Sequence, residues 1–208
     1  MKRSILFMVL IASAFILQST AKQQIKPDTQ LLNVPLIMQE MRMWCWAASG
    51  QMIMTYLNNP VSQCEEVYEL YGLNCCNRNR TQNCNKGGWP PFEAFDFSFG
   101  RTQDSALKWP DLKAQINNGD PIAFSWKWEG TSTGHMMVAV GYSDMNFFGD
   151  SLHWVFVNDP YPPRRDFNLN EGDFMILPYG RYVRGKSDKF GLIYDHWDDF
   201  YNIRKISE

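Results

Sequence analysis

One cysteine stands apart from the other cysteines of this chain and could act as a nucleophile. Cys45 lies between Trp44 and Trp46 at the start of a segment that favours a helix, whereas the other four cysteines fall between positions 64 and 84. The free N–H groups and the dipole at a helix N-terminus stabilise negative charge, and the thiolate is the reactive form of cysteine. The alternative is a small, buried, apolar cysteine, which is common in proteins.

A thiol nucleophile needs a base, and the chain holds three histidines, His135, His153 and His196. His135 is the best placed, because Gly134 before it allows a close approach and the apolar strand after it would hold the ring on a rigid element. His153 begins a strand without such a small neighbour. His196 lies in the acidic stretch YDHWDDF, where we expect a solvated role. The sequence therefore favours His135 as the base.

Candidates for the orienting and oxyanion-binding groups lie on either side of this pair. Asn158 and Asp159 end the strand after His135, and a strand-end acid or amide can orient a histidine on a neighbouring strand. Side chains alternate along a strand, so only one of the two should face His135. Asn-Asp-Pro is also ordinary turn chemistry. Gln39, six residues before Cys45, could donate an amide hydrogen bond to an oxyanion.

The four clustered cysteines are Cys64, Cys75, Cys76 and Cys84. In an oxidising compartment they should form two disulfides. The adjacent Cys75 and Cys76 should not bond each other, because neighbouring Cα atoms lie about 3.8 Å apart and disulfides prefer about 4.4–6.8 Å. Each should pair with Cys64 or Cys84, in either arrangement. The alternative is a zinc site of four thiolates, which would lack a clean C-x-x-C pair. We expect neither a metal nor a cofactor.

The elements predicted around the nucleophile are helical. Residues 44–57 favour a helix that is apolar on most sides and therefore buried. Ser62 and Glu65 form a capping box for a second helix, which ends near Leu70. Further helices are expected from Pro90 to Phe95 and from Pro110 to Gly119.

Strands dominate the second half of the chain. Extended segments are predicted at 121–128, 134–142 and 153–158, with weaker candidates at 173–177 and 189–193. Because helices come first and antiparallel strands second, the order predicts an α+β domain with a helical half packed on a sheet half.

The first 21 residues have the features of a secretory signal peptide. Lys2 and Arg3 precede an apolar run over 5–17, and small residues at 19–21 form a cleavage site. The alternative is an uncleaved anchor, but the run is short for a membrane span of about 20 residues. Residues 22–208 should then form one domain with no membrane span after cleavage. Such a chain would be secreted or periplasmic.

Composition and charge exclude several classes of protein. Hydrophobic residues make up 45% of the chain and aromatic residues 15%, which is too much for a disordered protein. The net charge of −2 comes from thinly spread charges. Without a basic patch we expect no nucleic-acid partner, and no acidic block suggests a tail.

The motifs together resemble the papain-like cysteine peptidases, in particular the bacterial branch of avirulence-effector and bacteriocin-processing peptidases. Gln39 and Cys45 match its Q-x5-C-W-A-A arrangement, and GHMMVAVGY around His135 resembles its G-H-x5-G-[YF] motif. Asp159 and the proline after it are similar to the strand end of that branch. VSQCEE, CCN and CNKGGWP are similar to its exported members, and the resemblance covers roughly 34–163.

The resemblance implies a papain-like fold in which the nucleophile helix packs on an antiparallel sheet and a cleft lies between the two halves. Cys45 would attack a carbonyl, His135 would transfer the proton, Asp159 would orient His135, and Gln39 would bind the oxyanion. Asn158 is the alternative third member. This implies a secreted peptidase acting on polypeptides. The same machinery would serve an amidase, isopeptidase or acyl transferase, and the scaffold could belong to a non-enzymatic binding protein.

Overall fold

The computed structural model describes residues 28–77, 82–147, 150–163 and 171–206. The signal peptide expected at residues 1–21 lies outside these ranges. Within them, no helix has the length and the apolar character that crossing a bilayer requires.

The helix predicted around Cys45 is present with the expected ends. Helix α1 spans Cys45–Tyr56, with Trp44 and Leu57 as its flanking residues, and most of its side chains are buried. It packs against the sheet on one side and against helix α2 on the other. A helix that is apolar on most sides is stable only in such a sandwiched position.

Helix α2 (Gln63–Tyr71) follows the predicted capping rules. The Ser62 hydroxyl accepts a hydrogen bond from the Glu65 backbone N–H, and the Glu65 carboxylate accepts one from the Ser62 backbone N–H. Gly72 ends the helix in the left-handed conformation, with φ of 65°. Two more helices are α3 (Trp109–Asn117) and the short α4 (Tyr179–Val183). The helix expected from Pro90 is only a 3-10 turn, Phe92–Phe95.

All the strand pairs in the described residues are antiparallel and belong to one sheet. The main order is β2-β8-β3-β4-β5-β6, while β1 pairs with β4 and β7 with β8. The predicted α+β class is confirmed. The strands are β1 Asp28–Leu31, β2 Phe97–Arg101, β3 Ile122–Trp128, β4 Gly134–Phe147, β5 Asp150–Asp159, β6 Asp173–Pro178, β7 Arg184–Lys186 and β8 Ile193–Lys205.

The sheet is larger than the sequence predicted. Strand β8 comes last in the chain but lies between β2 and β3. The strand expected at 189–193 is wrong, because a turn covers 188–190 and β8 begins only at Ile193. The sequence of β8 does not show the alternation of apolar and polar residues that is typical of a strand with one buried face, because two of its acidic residues are buried with partners. Asp198 binds Arg101 at 2.7 Å, and Asp199 accepts the Leu107 N–H at 2.5 Å.

The solvated role expected for His196 is also wrong. The ring is buried on β8, where Nδ1 donates to the Tyr182 carbonyl at 3.0 Å. Its Nε2 lies 3.0 Å from an Asp199 carboxylate oxygen, and the ring stacks on Phe124. These three contacts are those of a structural histidine of the core.

The four clustered cysteines form two disulfides, Cys64–Cys76 and Cys75–Cys84. Both adjacent cysteines therefore bond outward, which confirms the prediction and selects one of its two arrangements. The zinc alternative finds no support, since no group of acidic, histidine or cysteine side chains in the described part of the chain could hold a metal ion.

Candidate active site

Cys45 is the free cysteine of the described residues and is the first residue of α1, where its side chain is half-buried. Its two tryptophan neighbours anchor this end of the helix. Trp44 donates from Nε1 to the Cys84 carbonyl at 2.7 Å, and Trp46 donates to the Lys86 carbonyl at 3.0 Å. The start of α1 is thus attached to the segment that begins at Cys84, one end of the Cys75–Cys84 disulfide.

His135 is held by the close pairing of two strands. It is the second residue of β4 and lies opposite Trp126 of β3. A Cβ atom on Gly134 would collide with the Trp126 backbone carbonyl. The two strands therefore do approach closely at Gly134, as expected, and this contact keeps His135 in register with β3.

His135 and Asp159 form a buried pair. The distance from His135 Nε2 to Asp159 Oδ1 is 2.7 Å, and the two side chains are only 4% and 3% exposed. Cys45 and His135 line the same cleft, and Cys45 also influences the ring. Because Asp159 occupies Nε2, Nδ1 is the nitrogen that remains for the thiol. Burial on its own would lower the pKa of His135, but the charge and hydrogen bond of Asp159 and the contact with Cys45 raise the pKa to about 9.

The structure brings Asp159, rather than Asn158, to the histidine. Asn158 is buried on the other face of β5 and donates to the Val34 carbonyl at 3.1 Å. The alternation of side chains along the strand predicted that only one of the two could face His135, and strand register selects Asp159. Asn158 instead attaches the segment before Gln39 to the sheet.

Gln39 is fully buried near this site, but its amide points elsewhere. Its Nε2 donates to the Met41 carbonyl at 2.9 Å and to the Arg42 carbonyl at 2.8 Å. Its backbone N–H donates to the Pro160 carbonyl at 2.9 Å. The backbone N–H thus connects this loop to the turn after β5, while both hydrogens of the side-chain amide are directed at backbone oxygens of the loop before Cys45.

Three further residues of the site have no counterpart in the sequence analysis. Lys189 donates to Asp159 Oδ2 at 2.6 Å, and the Tyr161 backbone N–H donates to Asp159 Oδ1 at 2.8 Å. Phe190 packs edge-on against the His135 ring, with centroids 5.3 Å apart. Lys189 and Phe190 belong to an irregular turn far along the chain, and no local pattern marks such residues.

A cleft of about 770 Å³ opens beside Cys45 and His135. Its walls are largely aromatic, and the Gly87–Gly88 segment forms part of the rim. Two tryptophans from separate elements, Trp46 of α1 and Trp128 of β3, line it. Trp44 is buried, and Trp126 stacks on Tyr194 with centroids 3.8 Å apart. Further aromatic lining comes from Tyr71, Trp89, Tyr161, Phe190 and Trp197.

The site combines a cysteine at a helix N-terminus with a buried His–Asp pair on an antiparallel sheet, across an open cleft, and this arrangement is suited to nucleophilic chemistry. The model of the Peptidase_C39-like family matches residues 31–175. The chain therefore belongs to that family, which confirms the resemblance to papain-like cysteine peptidases.

The similarity to a solved structure is lower. A solved structure of a provisionally assigned C39-like peptidase from Bacillus anthracis is 16% identical, with a TM-score of 0.45. The match covers 86% of this chain and 99% of that one. The chain matches no curated protein.

Proposed function

We propose that the protein is an exported cysteine peptidase that hydrolyses peptide bonds of polypeptides. The observation that carries the proposal is that the free thiol of Cys45 lines the same cleft as a buried imidazole that is bound by Asp159. A histidine with a purely structural role would not require a free thiol beside it at the edge of a cleft. Membership of the Peptidase_C39-like family supports the same class of reaction.

In the proposed reaction the Cys45 sulfur, as thiolate, attacks the carbonyl carbon of the scissile bond while His135 holds the proton. Collapse of the tetrahedral intermediate breaks the C–N bond, and His135 Nδ1 gives its proton to the leaving amine. A water molecule then attacks the thioester and His135 accepts a proton from it. The C–S bond breaks, which releases the acid product and returns the Cys45 sulfur. Asp159 keeps the ring in one orientation throughout and stabilises the imidazolium through Nε2.

The oxyanion would be bound at the start of α1, where the Cys45 backbone N–H is not used within the helix. Gln39 could contribute only if its amide exchanged one backbone carbonyl for the substrate oxygen, because both carbonyls lie within 2.9 Å of Nε2 in the structure. In the resting geometry we assign Gln39 to holding the loop, and Asn158 to holding the segment at Val34.

The decisive experiment compares wild type with Cys45→Ser and His135→Ala on an unstructured protein substrate and on a peptide library. Cys45→Ser should lower turnover by about 10³-fold or more while the circular dichroism spectrum stays unchanged. Alkylation of Cys45 by iodoacetamide should be fast in wild type and slower in His135→Ala. Cleavage by pure Cys45→Ser at a rate close to that of wild type would show that the proposed mechanism is wrong.

The same experiment separates the other functions that the scaffold permits. Fast alkylation without cleavage of any peptide would indicate an amidase, isopeptidase or transferase that uses the same thiol. Slow alkylation that His135→Ala does not change would indicate a binding protein, because a thiol without a functioning base has no special reactivity.

A further inference from the structure

A lysine lies behind the His135–Asp159 pair, on the side away from the cleft. Lys189 projects into a second cavity of about 430 Å³, which His135 and Asp159 also line. Its Nζ lies 2.6 Å from Asp159 Oδ2, 2.9 Å from the Tyr161 carbonyl and 3.2 Å from Asp173 Oδ2. An ammonium group has three N–H donors, so these three oxygens can use all of them.

Lys189 completes the hydrogen bonding of the Asp159 carboxylate. Oδ1 accepts from His135 Nε2 and from the Tyr161 backbone N–H, while Oδ2 accepts from Lys189. The Asp159 side chain is 3% exposed and the Lys189 side chain 13%, so water cannot readily replace a lost partner. A buried carboxylate oxygen without a donor is costly, and the group would rotate or take up a proton to avoid that cost.

We propose that Lys189 is a positioning residue for the reaction proposed above, fixing the Asp159 carboxylate so that Oδ1 stays on His135 Nε2. It also holds the Tyr161 turn that supplies the second donor to Oδ1. The inference rests on the proposed function, but it concerns the geometry of the pair and can be tested without turnover. The competing interpretation is a salt bridge that stabilises the fold and has no effect on the histidine.

The charges around the carboxylate set the direction of the expected effect. Burial alone would raise the pKa of Asp159, but the charges and hydrogen bonds of His135 and Lys189 outweigh burial and lower it. Asp173 on β6 is a second negative group, 3.2 Å from Lys189 Nζ. The other two charged residues of the cavity, Arg181 and Asp188, bind each other at 3.0 Å. Loss of the Lys189 charge should therefore make Asp159 easier to protonate.

The test uses Lys189→Met and follows the Nε2–H proton of His135 by NMR across the acid range, together with kcat and KM. The pH at which that proton loses its carboxylate partner should rise by about one unit. At the pH optimum, kcat should fall by up to about 100-fold, since a small misplacement of a catalytic pair has that effect. KM should stay within about twofold, because Lys189 does not line the cleft.

Lys113→Met is the matched control, because Lys113 also bridges two aspartates. Its Nζ lies 2.6 Å from Asp28 and 3.0 Å from Asp144, far from the pair. This variant should have a lower melting temperature, while the acid midpoint of the His135 proton and kcat should stay as in wild type. Lys189→Arg keeps the cation and should keep the acid midpoint near that of wild type. Should Lys189→Met not fold, Asp173→Asn carries the test, since removing the opposing negative charge should move the midpoint downward.

The proposal is overturned if Lys189→Met, or in its place Asp173→Asn, shifts the His135 proton no more than Lys113→Met does. It is equally overturned if Lys189→Met lowers only the melting temperature. These results leave the peptidase proposal standing. The opposite combination is also distinguishable. If Lys189→Met shifts the His135 proton but Cys45→Ser keeps full activity, the role of Lys189 in the pair is supported and the peptidase mechanism is wrong.

Discussion

Single residues decide the chemistry of this site through their immediate partners. His135 is buried, and an isolated buried imidazole would be neutral at pH 7. Asp159 at 2.7 Å reverses this, so that the charged ring is favoured. A neighbouring thiol therefore meets a ring whose protonated form is favoured.

The pKa of His135 predicts where activity should fall on the basic side. It is raised from 6.5 to about 9, so the stabilisation from the charged pair is complete below about pH 6.5 and is lost as the pH rises through about 9. Because the imidazolium must protonate the leaving amine, turnover should decline with a midpoint near pH 9. The measurement is kcat/KM against pH for wild type and Asp159→Asn.

Asp159→Asn removes the charge that raises the pKa, so its basic limb should lie at lower pH and its kcat should be reduced. A wild-type limb near pH 6.5 that Asp159→Asn leaves in place would contradict the assignment of His135 and Asp159 as a charged pair. His153→Gln is a suitable control, since that ring pairs with Asp144 outside the site.

At the scale of elements, the site depends on how the loop over 84–88 is attached to α1. Trp44 and Trp46 hold the carbonyls of Cys84 and Lys86, and the Tyr71 hydroxyl donates to the Gly87 carbonyl. Gly87 and Gly88 line the cleft. The Cys75–Cys84 disulfide fixes the first residue of this loop, so it should affect substrate binding as well as stability.

The two disulfides provide a matched pair of variants for this prediction. Cys75→Ser/Cys84→Ser should lower stability by about 2–4 kcal/mol and raise KM several-fold, because the cleft wall loses its anchor. Cys64→Ser/Cys76→Ser should lower stability to a similar extent, because the sequence separations are close, 12 and 9 residues. It should leave KM nearly unchanged. Thermal melts and KM measurements check both, and equal KM values in the two variants would contradict the proposed role of the loop.

The whole molecule is organised by strands that are distant in the chain. Strand β8 lies between β2 and β3, and its buried acids attach it to neighbouring segments through Arg101 and the Leu107 N–H. Strand β4, which carries His135, pairs with β3, which in turn pairs with β8. The position of the histidine therefore depends on the last strand of the chain, although that strand contributes no group to the cleft chemistry apart from Trp197 in its wall.

Export is the prediction that belongs to the whole chain. Two disulfides fit an oxidising compartment. We expect the exported protein to begin near Lys22 and to contain one alkylatable thiol, at Cys45. The same chain made in a reducing cytoplasm should contain five. N-terminal sequencing and mass spectrometry after alkylation check this. An exported form that keeps its first residues, or that shows more than one free thiol, would contradict the prediction.

Short-range sequence patterns predicted a good part of this protein. The apolar character of 45–56, the capping box at Ser62 and the bar on bonding adjacent cysteines all depend on residues a few positions apart, where geometry is nearly constant. They also indicated Cys45, His135, Asp159 and Gln39 as site candidates. The catalytic roles of these residues remain predictions.

Only the tertiary structure decided the rest. Strand register selected Asp159 over Asn158, and the packing of separate segments paired the cysteines, buried His196 and placed Lys189 on Asp159. The lysine follows the aspartate by 30 residues, and no local rule relates two side chains so far apart. Contacts of that kind depend on how strands align and turns pack, which is a property of the assembled sheet and not of any short stretch of sequence.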